Sequence, residues 1–285
     1  MMEARVVGKG SLGVVVTGGT SGIGLAMARE FLSAGDRVVI CGRDRGRLDS
    51  ALDRLSRDVP AGELYGTICD VSAPGAVAHL AAFASSKLGI VDRWINNAGS
   101  AGLMKRPLWE LDLPDIDEVC RTNLAGSMLL CAEALRLMRR QPAHGGPPCY
   151  HIYNMGFSAA GARSSPTAVP HRASKLGVAY TTAFIREELA RSGSGSVAVH
   201  ELSPGLVLTD LLLRDTGPRE RRIFNAIAER PETVAAGLVS RIRIDTGRGG
   251  TLRFRPLPLT IVRALASYFG YGRGRFFDDR GEWTG

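Results

Sequence analysis

Directly after the apolar run Val14-Val15-Val16 stands Thr17-Gly18-Gly19-Thr20-Ser21-Gly22-Ile23-Gly24, whose glycine spacing suits the binding of a pyrophosphate. A short β-branched run reads as a buried strand, and the stretch from Leu25 to Leu32 reads as a helix beginning just beyond the turn. The first N–H groups of a helix have no partner within it, and with the positive end of the helix dipole they attract an anion. In this reading Gly18 makes the turn, Gly22 admits the phosphate to the backbone and Gly24 lets helix and strand pack closely, while Thr20, Ser21 and Ile23 complete the cradle. Glycine-rich turns also close ordinary βα loops, so the other strand ends have to agree.

They carry compatible chemistry. The second strand ends Cys41-Gly42-Arg43, with glycine where an acid would otherwise bind ribose hydroxyls. Arg43 offers a planar fork for phosphate oxygens and suits the 2′-phosphate of NADP(H); beside Arg45 and Arg47 it also reads as an ordinary surface arginine. The third strand ends Asp70-Val71, an acid and an apolar residue able to hold an adenine edge, although a capping aspartate ahead of Pro74 would look the same. The fourth ends Asn96-Asn97-Ala98-Gly99, where two amides can tie neighbouring strand ends and the small pair leaves room for a ribose. Further along, His171 and Lys175 stand four residues apart in a helical pattern and project to one face.

Apolar runs alternate with longer helical patterns, as these positions require. Strands are expected over residues 13–17, 37–41, 64–69, 91–95, 149–154 and 197–202, and helices over 23–33, 45–56, 75–87, 116–139 and 171–191. This rhythm predicts an α/β fold, a Rossmann-type doubly wound parallel sheet whose strand C-termini share one edge, where the ligand crevice lies. The chain reads as a single domain, with a core of about residues 12–208 and a C-terminal helical substrate cover and tail of about 209–285. Helices are expected from Thr209 to Arg230, broken near Gly217-Pro218, and over 231–245, followed by the largely apolar stretch 257–271.

With 285 residues, 45% of them hydrophobic, the chain can bury one large core. Its five cysteines are widely spaced, odd in number and form no C-x-x-C pair, which argues against a metal site or a disulfide framework and for reduced, buried thiols. The net charge of +8 is scattered, with small groups at 43–47, 219–222 and 241–255, and no nucleic-acid motif accompanies it. No apolar run reaches membrane-spanning length, and with the first strand starting near residue 13 the reading expects no targeting segment in this chain.

Residues 17–24, Asn96 to Gly99, Asn123 within Thr-Asn-Leu-Ala-Gly, Ser158, Lys175, and Pro204-Gly205 with Thr209 together resemble the short-chain dehydrogenase/reductase family over roughly residues 13–210. The resemblance implies a nicotinamide cofactor held by Gly18, Thr20, Ser21, Gly22, Ile23, Gly24, Arg43, Asp70, Val71, Asn97, Ala98, Gly99 and Lys175, and after the sixth strand by Pro204, Gly205, Val207 and Thr209. It implies catalytic roles for four residues. Ser158 orients a carbonyl, Asn123 holds a water in a proton relay, Lys175 binds the nicotinamide ribose and lowers the pKa of a proton donor, and position 171 is that donor. Family members carry tyrosine there; this chain carries His171. An imidazole titrates at about 6.5 against about 10 for a phenol, so it can donate without activation, but a nearby lysine disfavours its charged form and it reaches less far. Three readings stay open: a working imidazole acid, a cofactor-binding protein without full activity, and protonation by water along Asn123 and Lys175 or by another side chain.

The segments 150–155, 166–169, 200–213, 223–225, 230–235 and 274–281 resemble the chlorophyll b reductase branch of that family, from Leu12 to about Trp283. This implies NADPH-dependent reduction of the 7-formyl group of chlorophyll b or chlorophyllide b in chlorophyll breakdown, and a place in the chloroplast. Another bulky apolar carbonyl is the alternative substrate. Leu206, Val207, Leu208, Leu211, Leu212, Leu213 and Phe224 either line a wide apolar cleft or pack the cover internally. The stretch 257–271 either packs on the domain or touches a thylakoid surface or antenna complex. Helices 116–139 and 171–191 are those that relatives use to pair, so a homo- or hetero-oligomer is expected.

Overall fold

Every residue of β1 (Gly13–Thr17) is buried, because helices cover both faces of the sheet it sits in. Val14 and Val16 join one core with Met27, Phe31 and Leu238, while Val15 faces the other with Leu80, Trp94 and Leu130. This period-2 division explains why the strand reads as a continuous apolar run. The computed structural model describes residues 10–143, 145–156, 167–214, 216–267 and 269–284. Ser158, with the whole of 157–166, therefore lies outside the described residues.

β1 is joined by β2 (Arg37–Gly42), β3 (Leu64–Ile68), β4 (Arg93–Asn96), β5 (Tyr150–Met155), β6 (Val197–Ser203) and β7 (Gly250–Arg253). All pair in parallel, in the order β3-β2-β1-β4-β5-β6-β7. The order reverses between β1 and β4, so a crevice opens at their C-terminal ends. The connecting helices are α1 (Gly22–Ser33), α2 (Arg45–Asp58), α3 (Pro74–Leu88), α4 (Leu113–Cys120), α5 (Gly126–Met138) and α6 (Val169–Arg191). Beyond β6 come α7 (Asp210–Leu213), α8 (Pro218–Ile227), α9 (Pro231–Ile244) and α10 (Leu257–Ser267).

The structure differs from the sequence reading in several places. The expected helix 116–139 is two helices joined by a π-helical turn, Arg121–Ala125. Its pattern is continuous, but Asn123 bonds the backbone of Ser100 and the extra residue in the turn accommodates that reach. β7 was not expected, since its residues Gly-Thr-Leu-Arg are all part-buried and give no apolar run. Of the cysteines, Cys120 is exposed at the end of α4 and Cys149 only part-buried, so the expectation of buried thiols holds for Cys41, Cys69 and Cys131.

The cover packs mostly on itself. Leu208 and Phe224 are buried in a small cluster with Ala228, Phe276 and Phe277, against which Leu206, Leu212 and Leu213 pack. Val207 joins the main core, and of the seven expected cleft residues Leu211 is the exposed one. The tail thereby becomes part of the cover. In contrast α10 buries none of its residues, and Leu257, Leu259, Ile261, Val262 and Leu265 are all exposed. Among the described residues no helix is long and apolar enough to cross a membrane.

Candidate active site

The glycine segment forms the expected cradle. Gly18 and Gly22 have φ of 63° and 53°, in the left-handed region that favours glycine. A β-carbon on Gly24 would lie 2.3 Å from the Gly18 carbonyl oxygen and 2.4 Å from Asn97 Nδ2, so strand end and helix touch. Asn97 Nδ2 donates to the carbonyls of Thr17 and Gly18 at 2.9 and 3.1 Å. Thr17 Oγ1 in turn accepts from the N–H groups of Asn97 and Ala98 at 3.0 and 3.1 Å. The fourth strand end is thus bolted to the first, as the paired amides suggested. Asn96 turns the other way, donating to Asn154 Oδ1 on β5.

At the head of α1, Ser21 is extended and its side chain makes no cap hydrogen bond. The opening amides of the helix are left for an anion, and a pyrophosphate fits this cradle. Two threonines border it. The Thr20 methyl lies 2.6 Å from where a β-carbon of Gly42, at the end of β2, would stand, and Thr209, which caps α7, lies 3.1 Å from where a β-carbon of Gly22 would stand. Gly205 turns with φ of 76° between Pro204 and the buried Val207, whose side chain is spent in the core, so Val207 can offer a ligand only its backbone. Ile23 likewise packs against the core.

On the adenosine side, Arg43, Asp70, Ser72, Glu118, Arg121 and Thr122 line one cavity. Asp70 Oδ1 accepts from the N–H and hydroxyl of Ser72 at 2.9 and 2.8 Å, which draws its pKa below the usual range, with Arg43 and Arg121 adding attraction. Asp70 is therefore a turn-forming aspartate as well as a cavity wall, and Val71 beside it is buried. Arg43 is not simply solvated: its Nη1 donates to Glu118 Oε1 at 2.8 Å. Glu118 and Arg121 were not anticipated. They sit inside what read as one long helix, where nothing marks a charged residue as facing the cleft.

At the other end, Lys175 Nζ donates to the carbonyl of Met155 at 3.0 Å. A β-carbon on Gly99 would stand 3.1 Å from Asn123 Oδ1 and 3.6 Å from Lys175 Nζ, so the fold brings Gly99, Asn123 and Lys175 together. Both ends of the Asn123 amide are engaged, Oδ1 by Ser100 N–H and Nδ2 by Ser100 O and Ser174 Oγ. Its position rigidly supports the β4 loop. His171 is buried, with Nδ1 3.1 Å from Thr167 Oγ1. Burial, assisted by the charge of Lys175, lowers its pKa to about 4, and burial lowers that of Lys175 to about 8. At neutral pH the imidazole is uncharged and the ammonium largely keeps its proton. Across the cleft mouth Arg214 Nη1 donates to the Gly102 carbonyl at 3.1 Å, linking cover to β4 loop.

One further polar cluster lies within the sheet. The ligand atoms of His151, His200 and Asp245 fall within 4.8 Å of one another. The two rings are hydrogen-bonded to each other at 2.9 Å, and the fixed charge of Arg93 acts on both, so the set works as a hydrogen-bond network and is unfavourable for a cation.

Comparison with known proteins agrees with this geometry. Residues 13–217 match the short chain dehydrogenase family. The chain is 37% identical, over 95% of its length, to the probable chlorophyll(ide) b reductase NYC1 (chloroplastic) of Oryza sativa subsp. japonica, of which it spans 55%. It is 37% identical over 94% of its length to chlorophyll(ide) b reductase NOL (chloroplastic) of Arabidopsis thaliana, spanning 76% of that protein. Among solved structures, an actinorhodin polyketide ketoreductase with NADPH superposes with a TM-score of 0.68 at 26% identity, covering 85% of this chain and 95% of the other.

Proposed function

This chain belongs to the short-chain dehydrogenase family, and on that premise we propose that it reduces the 7-formyl group of chlorophyll b or chlorophyllide b to hydroxymethyl, with NADPH as reductant. The observation that carries the reading is the similarity to chlorophyll(ide) b reductases over 94% of the chain, reaching into a tail whose Phe276 and Phe277 are built into the cover. The chloroplastic relatives support a place in the chloroplast.

Bound NADPH supplies the hydride. The turn of Gly18, Gly22 and Gly24 would hold the pyrophosphate, Arg43 would be the residue to take the 2′-phosphate, and Ala98 and Gly99 would leave space for the ribose beside Lys175. The formyl oxygen must gain a proton as its carbon gains hydride. His171, neutral at pH 7, has an N–H to share but no proton it readily releases; Lys175, with a pKa of about 8, has one. Lys175 is thus the group we assign to proton supply, directly or through one water, because a donor with a pKa near the working pH is the most effective. The exposed Met128 on α5 and Tyr180 and Phe184 on α6 support a pairing face, and the exposed apolar side of α10 supports contact with a thylakoid surface.

Incubating the purified protein with NADPH and chlorophyll b should convert the pigment spectrum to that of the hydroxymethyl product. His171→Tyr should raise the rate. The buried, neutral His171 also favours a second reading, a nucleotide-binding partner of an active relative: NADPH binding with no turnover of any formyl pigment would establish that one and reject ours.

A further inference from the structure

We infer that Glu118 sets how strongly this protein prefers a phosphorylated nucleotide, by competing with the 2′-phosphate for the guanidinium of Arg43. The inference rests on the nucleotide binding proposed above and is independent of the pigment.

Position comes first. Arg43 directly follows Gly42, where a β-carbon would meet the Thr20 methyl at 2.6 Å, so Arg43 stands at the strand end beside the glycine turn, where the adenosine half of a dinucleotide would lie. The cavity there is closed on its far side by α4 and the π turn, which contribute Asp117, Glu118, Arg121 and Thr122. Charge comes second. Two guanidinium groups, Arg43 and Arg121, face three carboxylates, Asp70, Asp117 and Glu118. Asp117 stands 4.0 Å from Arg121 and Glu118 2.8 Å from Arg43, so each arginine already has an acid beside it. A pocket built for a dianion would be expected to carry surplus positive charge; this one does not.

An arriving 2′-phosphate must therefore take Arg43 from Glu118 and then sit near the displaced carboxylate. An unphosphorylated nucleotide asks for neither change. Glu118 accordingly penalises NADPH and leaves NADH almost untouched. The pair is solvent-accessible, with side-chain exposures of 67% and 34%, so the effect is moderate and salt-sensitive.

The test is direct nucleotide binding, followed by fluorescence of the reduced nicotinamide, for the full chain and its variants. Exposed ion pairs of this kind correspond to changes of up to about fivefold, so Glu118→Gln should lower the NADPH Kd by about that factor and move the NADH Kd by less than about twofold. In an Arg43→Gln background the same substitution should lose its effect, because the competitor has nothing left to compete for. Equal shifts for both nucleotides, no shift for either, or an undiminished effect without Arg43 would each overturn the inference. A wild-type chain that binds neither nucleotide overturns it together with the proposed function; one that binds both but leaves chlorophyll b unreduced overturns only the pigment reading.

Discussion

The cradle and the reducing end of this cleft are built from different materials. At the β1 and β4 strand ends the working parts are backbone: positive-φ glycines, helix-start amides, and carbonyls fixed by the Asn97 amide. At the start of α6 the working parts are two ionisable side chains whose protonation is set by burial, about 4 for His171 and about 8 for Lys175. A backbone site fails by losing shape, and a side-chain site fails by losing a proton. The cradle therefore tolerates little substitution at all, whereas the reducing end can exchange a tyrosine for a histidine and still keep its helix, its lysine and its fold.

Three experiments press on that difference, in order of expected size. Lys175→Met removes the one group at the reducing end assigned to carry a releasable proton, and kcat should fall by at least about 100-fold, the usual scale of general acid catalysis. Because Lys175 also borders the space for the nicotinamide ribose, the NADPH Kd should rise as well, so kcat is read at saturating nucleotide; a fall in kcat of less than tenfold would mean the chemistry lies elsewhere. Gly24→Val is the reverse case. Its β-carbon would meet a backbone carbonyl at 2.3 Å and the Asn97 amide at 2.4 Å, neither of which is the free end of a flexible chain. A loss of about 2–3 kcal/mol is expected, seen as a Tm several degrees lower, together with loss of nucleotide binding. Gly75→Ala, where an added β-carbon meets nothing within 4 Å, should leave both unchanged.

The third experiment is a pH dependence. In the unfolded chain His171 titrates at about 6.5, and in the fold burial draws it to about 4; burial lowers His151 and His200 as well. Between those values the unfolded state binds more protons, so stability must fall as pH drops from about 6.5 toward 4, by on the order of 2–3 kcal/mol for each imidazole so held. Denaturant melts across that range should show it, and His171→Tyr should flatten the slope by removing one of the three protons. A slope unaffected by His171→Tyr would mean that the imidazole is not held neutral by the fold.

Six strands and the glycine turn between the first strand and helix were legible because each is written in local pattern: a β-branched run, a glycine spacing, a helix start. Asn97 was legible for the same reason, as one of two adjacent amides at a strand end. β7 was not, since an edge strand of Gly, Thr, Leu and Arg carries no apolar signature. Nor was the π turn at Asn123, a residue whose side chain is hydrogen-bonded to Ser100, 23 residues away.

The chain's sequence alone determined the doubly wound sheet, the glycine turn after the first strand and the helical register that sets His171 and Lys175 on one face, because strand periodicity, glycine φ freedom and helical spacing act between near neighbours. Only the tertiary structure decided that His171 is uncharged, that Arg43 is already partnered by Glu118 from a different helix, and that Phe224 packs against Phe276 and Phe277 instead of opening a cleft. Those outcomes depend on burial and on charges brought together from distant parts of the chain, and neither quantity exists until the layers have closed.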